Sequence, residues 1–244
     1  MKAWLDTLIF GVYPYICLAV FLLGSLLRFD RDQYTWKSDS SQLLRSGQLR
    51  WGSNLFHVGI LFLFFGHSVG MLTPHFVYEP FISAGAKQLL AMISGGAFGV
   101  LGLLGLTLLL HRRLFDVRIR STSKTSDIVL LFLLWLQFAL GIATVPLSAQ
   151  HLDGSMMMVL AEWAQRIVTF RGGAAELMAE VGPVFRAHMF LGMTIFLIFP
   201  FTRLVHVWSG FGTLAYVVRP YQVVRARRLN VPAGHNMPQG DASA

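Results

Sequence analysis

Charged side chains are scarce in this 244-residue sequence. Asp, Glu, Lys and Arg together make up 13%, about half the share of soluble domains. A water-soluble globule of this length cannot cover its surface with so few, so a soluble enzyme is excluded. Cysteine is scarcer. Cys17 is the sole thiol, which excludes an intrachain disulfide, a CxxC metal or redox motif, a CxxCH attachment site and iron–sulfur ligation by this chain alone. No Asp or Glu lies deep in an apolar run and no repeat is present, which argues against an ion pump or an inverted-repeat transporter. What is abundant is apolar: 55% of residues, 20 of them Phe, with a mean hydropathy of +0.58. That composition excludes disorder and leaves an integral membrane protein.

Five apolar runs are long enough to cross a bilayer, which takes about 20 residues. They cover Leu8–Leu27, Asn54–Leu72, Leu89–Leu110, Ile128–Leu147 and Pro183–His206. Continuous rather than alternating hydrophobicity predicts helices, so the expected fold is an all-α integral membrane protein with five transmembrane helices. The first run lacks a small-residue cleavage site and carries Tyr13, Pro14 and Tyr15, so it reads as a retained span and not a signal peptide.

The basic residues orient the spans. Arg28–Arg50, Arg112–Lys124 and the stretch from Arg203 onward carry five Lys or Arg each, whereas the other side has only Lys2, Lys87, Arg166, Arg171 and Arg186. The positive-inside rule then places the N-terminus outside and the C-terminus in the cytoplasm. The net charge of +8 follows from these loops; it points to lipid headgroups and a cytoplasmic partner, not to nucleic acid. In the outer segment between the fourth and fifth spans, Met156, Leu160, Trp163, Ile167 and Phe170 recur at helical spacing, with Glu162, Gln165 and Arg166 between them. This predicts an interfacial amphipathic helix. Residues 1–228 form the expected membrane domain, and 229–244, with Pro, Gly, Asn and Ser but no periodicity, form an expected flexible cytoplasmic tail.

The chemistry lies in histidine. Of eight, four fall within or at the ends of two spans: His57 and His67 on the second, His188 and His206 on the fifth. Ionisable residues in membrane helices are costly, and four on two helices point to ligation rather than to core packing. The spans run in opposite directions, so antiparallel packing pairs His57 with His206 at the inner face and His67 with His188 toward the outer face. On a straight helix the 18-residue gap is about five turns, and the 10-residue gap is about 80° short of three. The rises differ, about 15 Å against about 27 Å, so two stacked sites require tilt. A neutral imidazole pair on facing helices is a natural axial set for haem iron. Phe56, Phe62, Phe64, Phe65, Phe190, Phe196 and nearby glycines suit a flat apolar macrocycle. Gly95, Gly96, Gly99, Gly102 and Gly105 on the third span include a Gly95-xxx-Gly99 pair that predicts close helix packing.

Longer strings carry a resemblance. Gln33-Tyr34-Thr35-Trp36, Ser53-Asn54-Leu55-Phe56-His57, Gly66-His67, Gly70-Met71-Leu72-Thr73-Pro74-His75, Arg112-Arg113-Leu114-Phe115, Ser148-Ala149-Gln150-His151, Phe185-Arg186, Gly192-Met193-Thr194, Phe199-Pro200-Phe201 and Arg203-Leu204 with His206 make the chain resemble the gamma subunits of respiratory nitrate reductase. The match runs from Tyr13 to Arg228. The resemblance implies two b haems, an outer one on His67 and His188 and an inner one on His57 and His206. It implies quinol oxidation (menaquinol or ubiquinol) near the outer haem with proton release outside. Electrons would then pass to an iron–sulfur beta subunit and a molybdenum-containing alpha subunit. The location implied is the bacterial cytoplasmic (inner) membrane.

By position alone Lys87 reads as a snorkelling interfacial lysine; the resemblance, through Lys87-Gln88 and Ala91-Met92, places it at the quinol site. Gly66 beside His67 would let a quinol ring approach. Arg203, one turn before His206, is a candidate partner for a haem propionate or for the inner interface. His75 reads as structural, His111 as solvated and His151 as local structure; His235 needs no role. Two other readings are a dihaem subunit of another quinol-linked membrane reductase and a haem-free transporter or anchor.

Overall fold

The computed structural model describes residues 2–32 and 46–208. The expected tail 229–244, the Gln33–Trp36 string and His235 lie outside them. Nine α-helices are present among the described residues: α1 (Lys2–Asp6), α2 (Tyr13–Asp32), α3 (Ser46–Leu72), α4 (His75–Tyr78), α5 (Ala84–Phe115), α6 (Val117–Thr122), α7 (Thr125–Ser148), α8 (Ser155–Val168) and α9 (Pro183–Ile198). A π-helical stretch, Thr7–Val12, joins α1 to α2, and no strand is present among the described residues. Five helical stretches are long and apolar enough to cross a membrane: Ala3–Arg31, Gly47–Leu72, Ala84–Phe115, Thr125–Ser148 and Pro183–Phe201. The chain is thus an all-α multi-pass membrane protein, as its composition predicted.

The starts of the helices follow local chemistry. The Ser83 hydroxyl accepts from the Ala86 amide and starts α5. Asp116 accepts from the amides of Arg118 and Ile119 and starts α6. Each satisfies N–H groups that have no partner within their own helix. Pro183 takes the first turn of α9, where its missing N–H costs nothing. Gly154 precedes α8 with φ +88°, and a Cβ there would lie 2.6 Å from the Ala84 carbonyl carbon.

The helices pack in the order α3, α5, α7, α9, α2. The α3–α5 seam is set by glycine. A Cβ on Gly59 would lie 2.7 Å from Gly102 Cα and one on Gly105 would lie 2.4 Å from the Phe56 amide nitrogen, while on the α7 side one on Gly102 would lie 2.1 Å from the Phe138 ring. Small residues let backbones touch where water supplies no driving force. Of the expected Gly95-xxx-Gly99 pair, Gly99 packs against α7, where a Cβ would lie 3.2 Å from Ile142 Cγ1, whereas Gly95, like Gly96, has no atom within 4 Å of a Cβ position. The close approach falls two turns later in α5, because its partner glycines, Gly52 and Gly59, sit toward the start of α3.

Two buried clusters hold the bundle. Leu106, Leu130, Leu134 and Phe138 pack between α5 and α7. At the other end Phe10, Cys17, Trp163, Ile167, Met178 and Phe185 converge. The expected amphipathic helix is α8, and its apolar face enters this second cluster. The Trp163 indole donates to the Phe10 carbonyl at 3.0 Å, an oxygen in the π-helical stretch. Two residues depart from expectation. Phe170 lies beyond the end of α8 at φ +56° and stacks on Tyr15 with centroids 5.6 Å apart. Gln165 faces inward, donating to the carbonyls of Met71 at 2.9 Å and Thr73 at 3.4 Å, and so satisfies the C-terminus of α3.

The fifth span is not one straight helix to His206. It ends at Ile198, passes through 3-10 turns at Phe199–Phe201 and Arg203–Val205, and is extended at Thr202 (φ −116°, ψ 177°). Pro200 explains the break, since it has no N–H and its ring crowds the preceding turn. The Arg28 guanidinium from α2 donates to the freed carbonyls of Pro200 at 2.6 Å and Thr202 at 3.0 Å. The arithmetic of five regular turns, and the 27 Å rise, therefore do not apply to His206.

Candidate functional site: two imidazole pairs

The structure brings the four membrane histidines together in two pairs. His57 and His206 have ring centroids 6.2 Å apart; His67 and His188 have centroids 6.3 Å apart. Two imidazoles bound through Nε2 to a single metal, at about 2.0 Å per bond, would place their centroids about 6.3 Å apart.

The other ring nitrogen is committed in all four. His57 Nδ1 donates to the Ser53 carbonyl at 2.7 Å, His67 Nδ1 to Leu63 at 2.8 Å, His188 Nδ1 to Gln137 at 3.1 Å and His206 Nδ1 to Arg203 at 2.7 Å. A carbonyl only accepts, so the proton sits on Nδ1 and the Nε2 lone pair is left for a ligand. Gly141 makes room for one ring: a Cβ there would lie 3.0 Å from His188 Cε1. Beside the His67–His188 pair, Gly66 and Gly70 have no atom within 4 Å of a Cβ position. Among the described residues no three of His, Cys, Asp and Glu converge. The donor sets are bare imidazole pairs, suited to a metal whose remaining positions come from its own macrocycle.

A cavity of about 270 Å³ adjoins the His57–His206 pair. Ser53, Phe56, His57, Leu130, Leu134 and His206 line it, with Arg112, Arg113, Arg203 and Asp127 at its polar end. Arg203 is therefore at the site, and Asp127 Oδ2 lies 3.6 Å from it and 3.7 Å from Arg113.

Lys87 lies in the first turn of α5 and not in the preceding loop. Its Nζ is buried, makes no hydrogen bond and sits 3.5 Å from the centroid of the Tyr78 ring. A snorkelling lysine would carry that nitrogen into water. Burial, and next the charge of Glu79, push the Tyr78 phenol above its usual range. Nearby, His75 Nδ1 pairs with Glu79 at 3.1 Å on the exposed face of α4. His111 meets Gln48 Nε2 at 3.4 Å.

In the sequence Gln88 counted only as the neighbour of Lys87 and had no role of its own. It is buried at 3% exposure, donates to the carbonyls of Ser148 and His151 and accepts from the Met157 amide. A polar residue immediately after Lys87 in an apolar helix was the available signal. Gly141 and Asp127 were missed as well.

The profile of the nitrate reductase gamma subunit family matches residues 6–227. The chain is 56% identical over 229 residues to the respiratory nitrate reductase 2 gamma chain of Escherichia coli, covering 93% of this chain and 100% of that one. It is 54% identical to the respiratory nitrate reductase 1 gamma chain of the same organism, over 92% of this chain and 99% of the other. Against the nitrate reductase gamma chain of Bacillus subtilis the identity is 39%, over 90% and 98%.

Proposed function

The chain belongs to the nitrate reductase gamma subunit family, and from that premise we propose that it is the dihaem b subunit that oxidises quinol for the complex. His67 and His188 hold the outer haem b; His57 and His206 hold the inner one. The observation that carries this is the pair of centroid separations, 6.2 and 6.3 Å, with all four Nδ1 protons given to carbonyls. When bound, each haem supplies a one-electron redox centre near one end of the bundle.

The chain's own residues then do the following. The Lys87 ammonium, buried without a hydrogen-bond partner, donates to a quinol oxygen and stabilises the negative charge that develops there as protons leave. Gly66, with open space where a side chain would stand, admits the quinol ring beside His67. Quinol loses two electrons and two protons, and the protons leave on the outer side. The stretches Arg28–Arg50 and Arg112–Lys124 carry five Lys or Arg each, and that excess supports a cytoplasmic side for them. There an iron–sulfur beta subunit receives the electrons and a molybdenum-containing alpha subunit reduces nitrate. The helix α8, with one apolar face, lies at the outer membrane surface.

Reduced-minus-oxidised spectroscopy with haem extraction tests the reading. Two b haems per chain, both reduced by quinol and reoxidised by nitrate in the complex, are expected. No haem, or haem that quinol does not reduce, would refute it.

A further inference from the structure

The polar end of the inner cavity holds a charge arrangement that imidazole ligation alone leaves unexplained. Asp127 stands in the first turn of α7. Its Oδ2 lies 3.7 Å from Arg113 at the end of α5 and 3.6 Å from Arg203 beyond the break in the fifth span. The three side chains are only 15–21% exposed. Arg112, 2% exposed, lines the same cavity. Among the described residues, three guanidiniums and one carboxylate stand at this end of the cavity.

An acid in a first turn suits the helix dipole, and a helix-end role would explain Asp127 on its own. It would not explain why two guanidiniums from separate elements converge on one carboxylate oxygen. Like charges brought together beside a partly buried cavity repel, and a carboxylate between them lets both stay. A wall with three guanidiniums complements a ligand that carries two carboxylates, as haem b does.

We propose that Asp127 is a positioning residue for the inner haem b: it holds Arg113 and Arg203 in the wall where they receive the haem carboxylates, and its charge sets the inner midpoint potential. This rests on the dihaem reading above. The sign follows from electrostatics. The oxidised centre carries one more positive charge than the reduced one, so a nearby carboxylate favours the oxidised form and lowers the midpoint.

Redox titration of the intact complex in membranes, followed at the haem absorbance, tests this with Asp127→Asn and Asp127→Glu. Asparagine should shift the inner midpoint to more positive potential, or cost the inner haem alone, while the outer midpoint stays in place. Glutamate should restore the wild-type inner value. An unmoved inner midpoint at full haem content overturns the proposal, and so does an equal shift of both centres. If the Asn variant does not accumulate, Arg203→Gln decides, since it must move the inner midpoint in the opposite direction; no movement there overturns the proposal too. Fewer than two b-type transitions in the wild type would instead refute the dihaem reading itself.

Discussion

Replacing Lys87 by Met keeps the aliphatic stem and removes the charge. The lost charged hydrogen bond to a quinol oxygen is worth about 1.5–3 kcal/mol. At about 1.4 kcal/mol per factor of ten, haem reduction by quinol should slow roughly 10- to 150-fold. Stability should move the other way. The ammonium is buried without a hydrogen bond, and the Tyr78 ring 3.5 Å away returns only about 0.5–2 kcal/mol. Desolvating an ammonium costs more than that, so the Met variant should unfold at the same temperature or higher. Stopped-flow reduction by a quinol analogue and thermal unfolding in detergent measure the two effects. Both haems should remain, and their oxidation by nitrate should be unchanged, because that route starts at the inner side. Tyr78→Phe, which keeps the ring, should behave as wild type. Wild-type reduction rates in Lys87→Met, or loss of haem, would refute the reasoning.

Gly66→Ala meets no neighbour within 4 Å, so thermal stability should hold while quinol-driven haem reduction falls; a stability loss would contradict the open space assigned there. Gly59→Ala should do the reverse, costing about 1–3 kcal/mol in unfolding, because its Cβ would press on the Gly102 backbone. Gln88→Leu takes the acceptor from the Met157 amide and one of two donors from each of the Ser148 and His151 carbonyls, which keep the His151 and Gly154 amides; a loss of about 1–3 kcal/mol for the one unsatisfied group should appear as earlier proteolysis of the α7–α8 segment. Arg28→Ala frees the Pro200 and Thr202 carbonyls and should weaken retention of the inner haem before the outer, read from the spectrum on mild heating.

The fold class and the imidazole pairs were readable in the sequence because both rest on coarse quantities. Run length fixes the spans, and antiparallel direction alone puts His57 opposite His206 and His67 opposite His188. The face and rise of His206 were not readable. They assumed a regular helix through Pro200, which breaks the span, while the hydrogen bonds that hold the broken backbone come from Arg28 on another span. Gly99, Gly102 and Gly105 were among the small residues marked on the third span, but composition marks only which helix carries them, and Gly59 and Gly52 on the partner decide which of them touch α3. Gln165 looked polar and outward, yet the carbonyls at the end of α3 take it inward. Lys87 was ambiguous from position, and only the burial of Nζ separates a charge held inside from one reaching for water. Asp127 carried no signal until two arginines, distant in sequence, met it.

Shared haem loss within each pair tests the central claim most directly. In single variants His57→Ala, His67→Ala, His188→Ala and His206→Ala, the reduced-minus-oxidised spectrum and the redox titration should sort into two groups. His67 and His188 should each abolish one and the same component, and His57 and His206 should each abolish the other. If the two members of a pair removed different components, or if any one variant kept both haems with unchanged midpoints, the assignment of two bis-imidazole centres to this chain would be contradicted.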